Sequence, residues 1–172
     1  MIKKNKKKGI LFWITGFSGA GKTSLANAIH KNIIKKFGPT IVVNGDDLRR
    51  IFKLKQYDRI SRLKYSSMYC QFAKFIINQN INLIFTVVAM IDEPRVWNKK
   101  NIPNYVEIYV KANIKNIKKF KKKKIYSKKK QSIVGLQIKP QFPRKPNIII
   151  NNNFKNNIKE LSKILIKKIM QL

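Results

Sequence analysis

The sequence predicts an α/β protein, a three-layer α/β/α arrangement around a mostly parallel sheet, and three observations carry that prediction. A continuous apolar run, Ile10-Leu11-Phe12-Trp13-Ile14, ends at a glycine-rich turn, the pattern of a strand buried on both faces of a parallel sheet. Beyond that turn, Leu25, Ala26, Ile29, Ile33 and Ile34 fall at helical spacing. Further apolar runs then alternate with helical patterns, which calls for right-handed crossovers and places loop chemistry at the carboxyl ends of the strands.

Taken in order, the first helix opens at Lys22 and stops at Gly38-Pro39. Thr40 to Val43 reads as a second short strand that delivers Asn44-Gly45-Asp46-Asp47 to the same sheet edge as the glycine turn. The spacing predicts a helix over Tyr65 to Asn78, a third strand over Ile81 to Met90 and a fourth over Tyr105 to Val110. The lysine-dense stretch from Lys111 to Lys130 is expected to begin as a helix and continue as a mobile loop, because like charges four residues apart on a helix repel. Gly135 to Pro146, with three prolines, reads as loop. Asn147 to Ile150 reads as a last strand, and Ile158 to Ile169 as a closing amphipathic helix with Leu161, Leu165 and Ile169 on one side. No internal repeat or linker interrupts the 172 residues, so one domain spanning 1–172 is expected.

Composition bounds the function. With 44% hydrophobic and 10% aromatic residues the chain has enough apolar material to fold, which excludes the disordered class. Its 39 Lys+Arg against 7 Asp+Glu give a net charge of +32, a field that attracts any polyanion. The excess is mostly Lys, spread along the chain with Asn and Ile, as an AT-rich coding sequence accumulates on solvated faces. Non-specific nucleic-acid adhesion is therefore expected, without the clustered Arg and exposed aromatics of a dedicated nucleic-acid protein. The single cysteine, Cys70, excludes an internal disulfide and reads as a buried thiol in a reducing compartment. The apolar run after the basic N-terminus is too short for a signal or a membrane span, so no membrane and a cytoplasmic location are expected.

Gly16-Phe17-Ser18-Gly19-Ala20-Gly21-Lys22-Thr23 matches G-x-x-x-x-G-K-[ST] at every specified position, and it does so between a predicted strand and a predicted helix. Such a P-loop turns consecutive backbone N–H groups onto phosphate oxygens while the helix dipole adds positive potential. Lys22 is then expected on the β- and γ-phosphates of ATP, Thr23 on Mg²⁺, and Ser24 beside them. A glycine turn that binds nothing is the alternative.

Asn44-Gly45-Asp46-Asp47-Leu48-Arg49-Arg50 falls where an acceptor hydroxyl would face the γ-phosphate. Asp46 there can take the hydroxyl proton or hold metal-bound water, and Arg49, one turn later, can grip an acceptor phosphate. An Asp helix cap followed by a solvated Arg would explain the same letters. Tyr57-Asp58-Arg59 with Arg62 offers a base-stacking aromatic and phosphate-neutralising arginines, or simply a surface turn before a helix. His30, on the first helix away from the loop edge, reads as structural.

These motifs, together with Asp58-Arg59 and Ile102-Pro103-Asn104-Tyr105-Val106-Glu107-Ile108-Tyr109-Val110, resemble the adenylylsulfate kinases over about Ile10 to Ile150. The resemblance implies a P-loop NTPase-type fold and transfer of the ATP γ-phosphate to the ribose 3′-hydroxyl of adenylylsulfate. It also implies Asp46 as catalytic residue, acceptor-phosphate binding by Arg49 and Arg59, a lid within residues 111–146 bearing Lys123, and a homodimer. Departures from the family pattern are Asn44 for the first motif Asp, Ala89 for a serine after the third strand, Phe120-Lys121 for an Arg-Asp pair, Lys124 for a lid glycine, and Ile133-Val134-Gly135 for Phe-Thr-Gly. Asp92-Glu93 through Trp97-Asn98, Val134-Gly135 and Phe142-Pro143 are similar to a short branch with capsule or surface-polysaccharide functions. One activity of that branch is phosphorylation of cytidine diphosphoramidate, and an aliphatic residue in place of a stacking aromatic is compatible with a pyrimidine acceptor. Two further readings stay open: a P-loop protein that binds nucleic acid with ATP as a switch, and a kinase whose altered lid no longer closes.

Overall fold

The structure is a computed structural model and describes residues 8–88, 90–121 and 132–172. Five parallel strands form the sheet: β1 (Leu11–Thr15), β2 (Thr40–Asn44), β3 (Asn82–Val87), β4 (Tyr105–Lys111) and β5 (Ile148–Asn151), in spatial order β2-β3-β1-β4-β5. The helices are α1 (Lys22–Phe37), α2 (Gly45–Ile51), α3 (Arg59–Asn78), α4 (Asp92–Asn101), α5 (Ile114–Lys121) and α6 (Ile158–Ile169).

The three layers follow from the period-two alternation of side chains along a strand. In β1, Phe12 and Ile14 point into a core shared with Leu25, Ile29 and Ile33 of α1 and Leu161, Leu165 and Ile169 of α6. Leu11 and Trp13 point the other way, into a core with Tyr69, Cys70, Ala73 and Ile77 of α3. Both faces of β1 are thus dry, which is why its sequence reads as an unbroken apolar run. With β1 central, the register sets Thr15 opposite Val87 of β3 and Tyr109 of β4, so the strands reach the site edge together.

Two helices lie where the sequence pattern suggested only connections. α2 begins one residue after β2, with Asp46 and Asp47 in its first turn and Arg49 and Arg50 in its last, the arrangement that complements a helix dipole. Its seven residues are too few to show periodicity. α4 carries Asp92 and Glu93 in its first turn and Lys99 and Lys100 in its last, and its Pro94 sits in the first turn, where a missing N–H costs nothing. α3 starts at Arg59, earlier than the expected Tyr65, because the Asp58 side chain accepts from the Ser61 amide at 2.9 Å and caps the helix there. β3 stops at Val87 although the apolar run continues to Met90. Met90 is fully buried off the strand and lies near the Thr15 hydroxyl, whose Oγ1 is 3.8 Å from its sulfur. α5 opens the lysine-dense stretch as expected, and its continuation over 122–131 lies outside the described residues. His30 plays the structural part expected of it, its Nε2 lying 2.8 Å from the Thr40 carbonyl oxygen. Among the described residues no helix is long and apolar enough to cross a membrane.

Cys70, on α3 against the Pro94 carbonyl of α4, is 1% exposed, and burial pushes its thiol pKa up to about 12. A thiol so held forms almost no thiolate at neutral pH. In the folded protein Ellman's reagent at pH 8 should therefore react at least about a hundredfold more slowly than after unfolding in guanidinium; equal rates would show that the thiol is accessible.

Candidate active site

The turn between β1 and α1 is forced by its glycines. Gly16 has φ +148°, and a Cβ there would meet the Val110 carbonyl oxygen at 2.5 Å, so the chain can leave β1 this close to β4 only without a side chain. Gly21, at φ +97°, precedes α1 and contributes no side-chain cap. The first N–H groups of a helix stand outside its own hydrogen-bond ladder, and the dipole concentrates positive potential at the same end. Lys22 is 8% exposed, and its Nζ donates to the carbonyls of Gly16 at 3.0 Å and Phe17 at 2.8 Å, tying the helix start to the loop start. From the connection after β5, the Asn152 amide donates to the Ala20 carbonyl at 2.9 Å and braces the loop from behind.

This loop forms one wall of a cleft of about 1050 Å³. Ser18, Gly19, Gly21, Lys22, Thr23 and Ser24 line it on the α1 side; Asn44, Asp46 and Arg49 line it at the end of β2, and Tyr57, Arg62, Tyr65 and Tyr69 opposite. Phe17 and Ala20 belong to the loop but turn their side chains into the core, where Phe17 meets Phe142 edge-on at 6.0 Å between ring centroids. Only their main chain can serve a ligand. Ile133 and Val134 are buried in the same wall.

Charge in the cleft is one-sided. Among the described residues its walls carry Lys22, Arg49, Arg50, Lys53, Lys55 and Arg62 against a single carboxylate, Asp46. The Arg49 guanidinium lies 3.9 Å from the Tyr57 ring centre and 5.1 Å from that of Tyr65, and it donates to the Gln56 carbonyl. Arg62 sits 5.4 Å from the same Tyr57 ring and donates to the carbonyls of Tyr57 at 2.7 Å and Ser132 at 3.0 Å. Burial first, and then the charge of Arg49, hold the Arg62 pKa below its ordinary value. Two guanidinium groups held against one aromatic ring repel, and an anion between them relieves that repulsion. Burial pushes the Tyr69 hydroxyl up to about 12, so it stays a neutral donor, bonded to the Gly45 carbonyl at 3.3 Å.

A buried ionic knot anchors the segment that returns from residues 132–146 to β5. Arg95, 5% exposed, pairs with Asp92, with Glu107 at 3.1 Å, and donates to the Gln141 carbonyl at 2.8 Å. Gln141 also donates its amide to the Met90 carbonyl at 2.9 Å and accepts from the Asp92 amide at 2.9 Å. Removing one partner of such a buried pair costs about 3–5 kcal/mol, so the segment that holds Phe142 against the loop is firmly fixed.

The expected site residues are thus largely brought together. Arg59 is the exception: it is outside the cleft wall and pairs with Glu93 at 3.2 Å on the surface, its side chain 56% exposed. That pair is worth little, about 0–1 kcal/mol, and nothing in the geometry brings Arg59 to an acceptor. Lys123, Lys124 and Ala89 lie outside the described residues. Sequence reasoning passed over Tyr65, Tyr69, Thr86 and Asn152. The first two are four apart on one face of α3 and could have been found by asking which face of that helix meets Arg49; Asn152 had no signal beyond its place after the last strand.

The fold and the glycine loop together define a protein of the P-loop class, with a cleft whose walls are cationic. Residues 8–151 match the family model described as adenylylsulphate kinase, and the chain belongs to that family. It is 31% identical over 168 residues to the cytidine diphosphoramidate kinase of Campylobacter jejuni, covering 95% of this chain and 98% of that one. It is 25% identical over 175 residues to the adenylyl-sulfate kinase of Buchnera aphidicola from Schizaphis graminum, covering 96% and 83%. Among solved structures, the APS kinase of Mycobacterium tuberculosis in complex with AMPPNP and APS has the same fold, with a TM-score of 0.83 at 18% identity over 95% of this chain and 98% of that one. The protein is accordingly an ATP-dependent kinase.

Gly16→Ala tests the loop geometry. A side chain against the Val110 carbonyl should lower the melting temperature by about 5–10 °C and weaken MgATP binding; an unchanged melting curve would mean that the turn tolerates a Cβ.

Proposed function

We propose that this kinase transfers the ATP γ-phosphate to a ribose 3′-hydroxyl of an anionic nucleotide, and that Asp46 and Lys22 carry the chemistry. The observation that carries this reading is that one cleft holds the loop, the lone carboxylate Asp46 and the arginines Arg49 and Arg62 in contiguous walls. Lys22 and the α1 amides would hold the terminal phosphates. Asp46 would accept the acceptor proton, and Arg49 and Arg62, both held against Tyr57, would bind the acceptor's own phosphate or sulfate. Hydroxyl and carboxylate oxygens suit Mg²⁺, and Thr23 and Asp46 both face the cleft, so they fit as the groups that would hold it. When bound, Mg²⁺ neutralises charge that builds on the phosphates. Positioning and electrostatics would then supply most of the rate.

For the acceptor, the end-to-end similarity to a cytidine diphosphoramidate kinase favours cytidine diphosphoramidate over adenylylsulfate, and the aliphatic wall of Ile133 and Val134 is compatible with a pyrimidine. The family as a whole supports adenylylsulfate. The lone buried thiol fits a reducing cytoplasm, and a homodimer is the assembly we expect.

ATP consumption measured against adenylylsulfate, cytidine diphosphoramidate and ordinary nucleoside monophosphates should show the second as the best acceptor by kcat/KM; a preference for a plain monophosphate would contradict the reading. In the same assay Asp46→Ala should lower turnover at least about a hundredfold while MgATP affinity stays within a few-fold. Unchanged turnover would remove Asp46 from the chemistry.

A further inference from the structure

We propose that Asn44 is a positioning residue that tethers the Asp47 carboxylate at the cleft rim, so that Asp46 alone presents a carboxylate to the phosphates. The inference rests on the kinase reading of the cleft and deepens it.

Asn44 ends β2 and stands at the N-cap position of α2, where an Asn ordinarily gives its side-chain oxygen to a helix N–H. Here it makes no such bond. The parallel register pairs Asn44 with Thr86 on β3, and the Thr86 hydroxyl donates to Asn44 Oδ1 at 2.8 Å. Asn44 Nδ2 donates in turn to Asp47 Oδ2 at 2.9 Å, and the other oxygen of Asp47 accepts from Arg50 at 3.1 Å. A carboxylate can only accept, so the amide nitrogen must face Asp47 and the amide oxygen must face Thr86. The chain Thr86–Asn44–Asp47–Arg50 therefore has one assignment, with donors converging on Asp47 from both sides, and it diverts the cap residue from its usual duty.

The consequence is electrostatic. Asp46 and Asp47 are neighbours in the first turn of α2, yet only Asp46 lines the cleft. Asp47, its side chain 48% exposed, does not line the cleft, but Asn44 and Arg50, which do, hold its two oxygens at the rim. A second carboxylate turned inward would repel a triphosphate that the lone Asp46 tolerates.

The test is a double-mutant cycle read by titration calorimetry with MgATP, which needs no acceptor. Asn44→Ala should weaken MgATP about tenfold, Asp47→Asn should leave it within about twofold of wild type, and the double variant should return to within about twofold, because the charge that Asn44 restrains is gone. A merely structural Asn44 would leave the double variant as weak as Asn44→Ala, and that result, or full affinity in Asn44→Ala, overturns the proposal. Should Asn44→Ala fail to fold, Thr86→Val takes its place, with a smaller loss that Asp47→Asn must again relieve. Wild type that binds MgATP but phosphorylates no nucleotide sinks the acceptor reading while the cycle still decides the role of Asn44; wild type that does not bind MgATP sinks both.

Discussion

The site depends on the hold of the Lys22 ammonium on the carbonyls of Gly16 and Phe17. A lysine at the first position of a helix would ordinarily extend into water. Here it folds back over the loop, and the loop can curl tightly enough to be reached because Gly16 passes the Val110 carbonyl with no side chain. Asn152, just beyond β5, closes the same ring through the Ala20 carbonyl. Three separate parts of the chain thus fix one turn of backbone, and the N-terminal turn of α1 is set in place before any ligand arrives, the kind of preorganisation on which electrostatic catalysis relies.

The second constraint is charge placement in a chain with 39 basic residues and 7 acidic ones. Most of the lysines are solvated and need no special role. The acids matter because they are scarce: Asp58 caps α3, Asp92 and Glu107 neutralise buried Arg95, Asp47 is tied to Asn44 and Arg50, and Asp46 faces the cleft. Four of these five carboxylates are tied to partners, Asp92 and Glu107 sharing Arg95, and Asp46 is the one that lines the cleft. A cleft of this sign favours a polyanionic substrate pair, and the arginines around Tyr57 suit an acceptor that brings its own negative group.

Much of this was legible in the residues. The strand buried on both faces, the glycine loop and the opening of α1 are coded locally, in periodicity and in one motif whose context agreed with it. The closing helix was equally clear from Leu161, Leu165 and Ile169. α2 and α4 were not legible, because short helices with Gly45 or Pro94 in the first turn show no period and draw their stability from capping charges and tertiary contact. The end of β3 was overread because Met90 is buried by packing rather than by pairing. The partner of Arg59 is Glu93, 34 residues away on another helix, and a pairing of that kind has no local signature. The Asn44–Thr86 contact likewise exists only through strand register, so the Asn at position 44 could be read as a substitution but its task could not.

Phosphoryl transfer in this cleft requires the loop to be a triphosphate cradle, and a crystal structure with a non-hydrolysable ATP analogue and magnesium tests that most directly. The β- and γ-phosphates should lie against the backbone amides from Gly19 to Thr23, with the Lys22 ammonium moved onto them from the Gly16 and Phe17 carbonyls and the γ-phosphate facing Asp46. Phosphates bound elsewhere in the cleft, with Lys22 still bonded to both carbonyls, would contradict it.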